Sequence, residues 1–339
     1  MINSVALRTR PTSSIMGQVM LALVPGTVVT SYTLGSGVLI NITVLVLVSL
    51  ACESVALVVQ KRQIIPALSD GSIVLAAWLL ALCLPPSLPI TQLIFGAMVM
   101  TVLGKHVYGG LGQNPFNPAM VGYAVLLISF PKTMTLWFDP DSLAHLSANG
   151  IKALPEWWKM KWHPLPLNTQ WDSITQATPL DKLRTLERQF ETKITSQTSI
   201  NDAINFQTYP WLAISVAWAI GGLYLLFRGI IRWHIPVAML TAAALSHWVI
   251  GLISNDYSLP VWSALLYGGL LFGAFFVATD PVTAPSSQRA RLYYGAGIGI
   301  LTVVLRTNSN YPEGVAFAVL LMNSTTPLLD RVFVLDKRP

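Results

Sequence analysis

One carboxylate stands inside a long apolar run: Glu53, in the stretch Ala51-Cys52-Glu53-Ser54. An ionisable group at that depth turns toward the protein interior or a water-filled path, because facing lipid costs several kcal/mol. Asp280 and Asp330 stand at the edges of two later apolar runs. Carboxylates supply hard oxygen ligands and titratable sites, so the three read as stations on a cation or proton path. Pairing with a neighbouring cation, as of Asp330 with Arg331, is the structural alternative.

A second chemical signal is the glycine-rich segment from Lys105 through Gly109, Gly110 and Asn114 to Asn117. Glycines permit positive φ and close backbone approach, and successive amides can form an anion-binding nest beside the lysine. The Gly-Lys-Ser/Thr ending of a Walker loop is absent, and so is the preceding strand of a dinucleotide fingerprint. A tight turn between helices explains the same residues. The five histidines show no metal-ligand spacing, and neither a Gly-x-Ser-x-Gly elbow nor a Ser-x-x-Lys motif is present. Bond-breaking chemistry by this chain alone therefore has no visible apparatus. Thr178, after a small residue and before Pro179, offers a hydroxyl in extended or turn backbone. It also reads as the N-cap of a helix running through Asp181 and Leu186.

The elements that must position these residues follow from composition. The chain has 339 residues, 53% hydrophobic and 11% charged, with ten methionines and eleven tryptophans. A soluble domain carries about 25% charged residues, so this chain cannot cover a water-facing surface. Cys52 and Cys83 both lie in apolar runs, which excludes a disulfide scaffold or a four-thiolate cluster within the chain. The expected fold is an all-α polytopic membrane protein. Candidate spans are Ile15–Leu34, Val38–Val59, Ile73–Leu84, Ile90–Leu103, Ala119–Phe130, Trp211–Phe227, Ile235–Ile253, Val261–Ala278, Leu292–Leu305 and Val315–Leu329. That makes about ten, some shorter than the roughly 20 residues that cross the hydrocarbon alone. The first run lacks the small-residue cleavage signal of a secretory leader and is read as a span.

The chain thus divides into a first membrane half, 1–130, a charged, tryptophan-bearing insert, 131–208, and a second half, 209–339. With a cytoplasmic N-terminus, the inner loops hold Arg8, Arg10, Lys61, Arg62, Lys105, Arg228, Arg232, Arg289, Arg291, Arg331, Lys337 and Arg338. The short outer loops are nearly free of cations, Arg306 excepted. This asymmetry obeys the positive-inside rule and puts both termini in the cytoplasm and the insert outside. It also assigns the +6 net charge to membrane orientation, not to nucleic acid. Five spans per half reverse the insertion of the second half, the geometry of an inverted repeat. An internal echo supports it: Asn114-Pro115-Phe116-Asn117-Pro118 follows the fourth span and Thr279-Asp280-Pro281 the eighth. A stand-alone solute channel or transporter built from such repeats is the competing function, although it has no need of the long insert.

Several motifs carry a family resemblance. They are Arg8-Thr9-Arg10, Ala67-Leu68-Ser69-Asp70, Leu84-Pro85-Pro86, the long stretch from Lys105 to Tyr123, Arg232-Trp233-His234-Ile235-Pro236, Gly273 through Pro281, and Tyr311-Pro312-Glu313-Gly314. The chain resembles the D subunits of Rnf electron transport complexes, relatives of the B subunit of the sodium-pumping NADH:quinone oxidoreductase. The resemblance implies a bacterial inner-membrane subunit with FMN held covalently, as a phosphoester to threonine. The family's Ser-Gly-Ala-Thr reads here as Thr175-Gln176-Ala177-Thr178, so the acceptor role passes to Thr178 alone. Implied partners are the A, B, C, E and G type subunits and a flavin transferase, and the implied cargo is Na⁺ or H⁺. By the same resemblance Glu53, Asp280 and Asp330 are ion-path acids. A second, noncovalent flavin (riboflavin, for example) is expected at Lys105, Gly109, Gly110, Asn114 and Asn117.

Overall fold

The computed structural model describes residues 11–137, 154–162, 209–253, 261–308 and 314–335, and these form helices joined by turns. In the first half, α1 spans Thr12–Leu34 and α2 Gly37–Val59, separated by Gly35 at φ 92°. Helix α3 is Ser72–Leu82; α4 is Ile90–Thr101 and continues as a π-helical turn, Val102–His106. Helix α5 is Pro118–Ser129. From the insert comes α6, Leu154–Trp162. The second half holds α7, Tyr209–Phe227, α8, His234–Ile253, and α9, Val261–Leu266. Helix α10, Leu270–Phe272, runs into a second π turn, Gly273–Val277; α11 is Gln288–Asn308 and α12 Val315–Leu335.

Apolar runs take this form because hydrocarbon offers no partner to a backbone N–H or C=O, and a helix pairs them all within itself. Thr12–Leu34, Gly37–Val59, Pro210–Phe227 and His234–Ile253 are long and apolar enough to cross a membrane. Others are not. The 11 residues of α3 reach about 16 Å at 1.5 Å per residue, half a bilayer, before Pro85 and Pro86 stop them. The run Val261–Ala278, expected as one span, is broken at Tyr267–Gly269, where Gly268 takes φ 109°. Such interrupted helices persist at membrane depth only where protein surrounds them.

The helices pair in the same order in both halves. Helix α2 packs on α3 and α4, as α8 packs on α9, the π turn after α10 and α11. Helix α4 packs on α5, as α11 packs on α12. Between halves, first meets first and last meets last: α1 lies on α7 and α5 on α12. The α1–α7 crossing is close because glycines make it so. A Cβ on Gly221 would come within 2.2 Å of the Ala22 carbonyl oxygen, and one on Gly26 within 2.1 Å of the Trp218 ring.

These pairings correct the internal echo. The Asn114–Pro118 break lies between the fourth and fifth helices of its half, whereas Thr279–Pro281 follows the broken third span of its own. The two prolyl breaks are therefore not equivalent positions. They meet in space instead: Asn117 caps α5 by accepting from the Met120 N–H at 3.3 Å, and its Nδ2 donates to the Val277 carbonyl at 3.4 Å.

Candidate ion-pathway site

Helix α2 buries one residue in four along a stripe: Gly37, Asn41, Leu45, Ser49, Glu53 and Leu57. Steps of four keep these side chains on one slowly winding face. Glu53 is 2% exposed and Lys105 3%. Lys105 Nζ donates to Glu53 Oε1 at 2.6 Å and to Ser72 Oγ at 2.9 Å. His106 Nε2 stands 3.7 Å from the same carboxylate oxygen, and Gln60 Nε2 lies 3.3 Å from His106 Nδ1. The π turn makes this convergence possible. Val107 N–H bonds to the Val102 carbonyl, five residues back, at 2.9 Å, and the widened turn presents the adjacent Lys105 and His106 to one acid.

Glu53 and Lys105 form a buried, hydrogen-bonded pair, the arrangement in which a charge at depth is tolerated. Lys105, counted from sequence among the loop cations, lies in the π-helical turn and faces Glu53. Glu53 Oε2 is buried with no hydrogen-bond partner, so the acid keeps one oxygen available.

Lys105 also lines a cavity of about 130 Å³ together with Ser72, Asn114, Asn117, Thr279 and Asp280. Asp280 accepts from the Val282 N–H at 3.2 Å and the Thr283 hydroxyl at 3.3 Å, which hold its carboxylate in the turn after the second π segment. Glu53 thus pairs with Lys105, and Asp280 lines the cavity that Lys105 also lines. Asp330 is elsewhere. It accepts from the Ser286 N–H and hydroxyl, both at 2.9 Å, and so pins the turn ahead of α11 to α12. A further cavity, about 150 Å³, is lined by Tyr123, Trp137, Trp211, Trp218, Phe272 and Val277. The second π turn forms wall in both cavities.

The segment expected to hold a second flavin is engaged with the protein itself. Lys105 is committed to Glu53, Asn114 donates to the Phe116 carbonyl at 3.0 Å, and Arg62 holds the Gly109 carbonyl at 2.7 Å. Gly109 and Gly110 take φ 105° and 98°, which the turn requires. The adjoining cavity is below the roughly 300 Å³ at which ligand pockets begin. These residues do not fit an enclosed flavin. Thr178 lies outside the described residues.

The insert helix α6 was not singled out from sequence, yet it makes a second buried ammonium site on the same α2 stripe. Trp157 is fully buried between two glycines: a Cβ on Gly35 would meet its ring at 2.4 Å, and one on Gly37 at 2.6 Å. One turn on, Lys161 is 1% exposed. Its Nζ donates to Asn41 Oδ1, to the Pro86 carbonyl at 2.7 Å and to the Leu88 carbonyl at 3.0 Å. Burial pushes its amine down to about 7, while three converging acceptors oppose the loss of a proton. The available signal was the Trp157/Lys161 spacing of four beside Asn41, the only amide in the apolar run of α2.

A buried acid–ammonium pair and half-length helices inside an all-α scaffold define a polytopic membrane protein. Comparison with known proteins narrows the class. The chain matches the NQR2, RnfD, RnfE family over residues 3–337, and it belongs to that family. It is 41% identical over 332 residues to the D subunit of the ion-translocating oxidoreductase complex of Pectobacterium atrosepticum, covering 94% of this chain and 92% of that protein. The same-named protein of Yersinia pseudotuberculosis is 41% identical over 330 residues, covering 95% and 92%. That of Escherichia coli O6 is 39% identical over 334, with the same coverage.

Proposed function

We propose that this chain is the D-type membrane subunit of an ion-translocating electron-transfer complex in a bacterial inner membrane. Its family membership over nearly the whole length carries this reading. Its partners are the A, B, C, E and G type subunits, a flavin transferase that modifies it, and the lipid bilayer. FMN is carried on Thr178 as a phosphoester; when bound, that flavin supplies one- and two-electron redox chemistry. The chain's own contribution is to hold the tether on the outer face and to conduct Na⁺ or H⁺.

Two observations support the outer placement of the insert. The loop charges put Gly35–Gly37 and Pro85–Pro89 outside. Helix α6, from the insert, seats on those same two loops. The helix pairing supports two halves of inverted insertion. In the interior, Glu53 and Asp280 are the acids of the pathway, and the ammonium of Lys105 is a resident counter-charge that an arriving cation has to displace from Glu53. Asp330 braces the turn that carries Asp280 instead of meeting the ion.

The test of the tether is in-gel flavin fluorescence of the denatured polypeptide, expressed with the complex and its transferase. A band present in the wild type and absent in Thr178→Ala supports the reading. A dark wild-type band contradicts it and favours a stand-alone channel.

A further inference from the structure

Lys161 has no part in the ion pathway or the flavin tether, yet its surroundings are those of a built site. Three oxygens converge on Nζ, from the Asn41 amide and the Pro86 and Leu88 carbonyls. None carries a formal charge. Asn41 is fully buried, and its Nδ2 donates to the Pro85 carbonyl at 3.0 Å, which fixes the amide so that Oδ1 faces the site. Among the described residues both ion pairs fall on Glu53, twelve residues along α2, and none on Lys161. Among the described residues, the other charged groups on the elements packed here are Glu156 and Lys159 of α6 and Glu53 of α2, none hydrogen-bonded to Nζ, and the 85–88 turn has no charge.

Neutral amide and carbonyl oxygens gathered around a desolvated positive centre are the ligand set with which proteins replace the hydration shell of a monovalent cation. The three oxygens already hold a protonated amine by hydrogen bonds, so the space they enclose is that of an ammonium-sized ion. We propose that Asn41, Pro86 and Leu88 form a monovalent-cation site of ammonium or potassium size, which Lys161 fills as a tethered cation. When α6 lifts, or the side chain is cut back, a free cation of that size takes its place. Helix α6 is the closure of the site. Trp157, wedged between Gly35 and Gly37, seats it so that the ammonium and the three oxygens meet.

The test is chemical rescue in the assembled complex, purified from membranes into detergent, with hydrogen exchange of residues 154–162 as readout. Lys161→Ala is compared in potassium chloride, ammonium chloride and N-methylglucamine chloride. Exchange in the variant should be at least tenfold slower in potassium or ammonium than in N-methylglucamine, with a wild type indifferent to the salt. Lys161→Met, whose apolar chain fills the space, should show no recovery, and neither should Lys161→Ala combined with Asn41→Leu. Equal exchange of Lys161→Ala in all three salts overturns the proposal. So does failure of Lys161→Ala to accumulate in cells grown in high-potassium medium, since potassium reaching the outer face should occupy the vacated site.

Discussion

Helix α2 receives two buried lysines, and they differ in what faces them. Lys105 meets a carboxylate, Glu53, from within the membrane half. Lys161 meets three uncharged oxygens and arrives from the insert. The first is a compensated charge on a scaffold helix, and its loss strands an ion where solvation is costly. The second, carried on a short helix, faces only neutral oxygens among the described residues, and its loss costs only what the docking of that helix is worth. One site is fixed by electroneutrality, the other by solvation of a single ion. The proposed ion movement bears on the first, and the seating of the insert bears on the second.

That contrast can be broken most sharply at Lys105. Lys105→Met leaves buried Glu53 with only the more distant His106 Nε2 at 3.7 Å, and should destabilise the protein by about 3–5 kcal/mol. Thermal unfolding in detergent reads this, and adding Glu53→Gln should recover most of the loss by removing the orphaned charge. If the double variant is as unstable as Lys105→Met, the pair is not what holds this region. On the other side, Trp157→Ala removes a fully buried ring at a cost of about 3–5 kcal/mol to the seating of α6. Its effect should be local: faster exchange at 154–162 with little change in α2–α5. A uniform loss of protection would erase the distinction between the regions.

Glu53→Gln alone keeps the shape and one acceptor oxygen for Lys105 but removes the charge. It should lower ion uptake by reconstituted complex severalfold while assembly stays near wild type; parallel losses would reduce Glu53 to a structural partner.

Much of this architecture could be read from residue order. Continuous apolar runs fix helices because lipid leaves the backbone no other partner, and Glu53 stood out because acids at that depth are rare. The partners of Glu53 could not be read. Lys105 looked like a loop cation because nothing in a linear sequence announces a π turn, which alone brings residues 105 and 106 to one carboxylate. The broken run after Val261 was equally hidden, since hydropathy is blind to a chain that stops and restarts at Gly268. The insert's hold on the first half was missed for another reason. Trp157 and Lys161 belong to a mixed-polarity segment, and only Gly35, Gly37 and Asn41, 116 to 126 residues away, give them a place to be buried.

The function itself is most directly tested by mass spectrometry of the peptide containing Thr178, cut from the protein as it occurs in the assembled complex. The expected peptide is heavier by FMN less one water, with fragmentation placing the group on Thr178. A peptide of unmodified mass from transferase-competent cells would contradict the flavin tether.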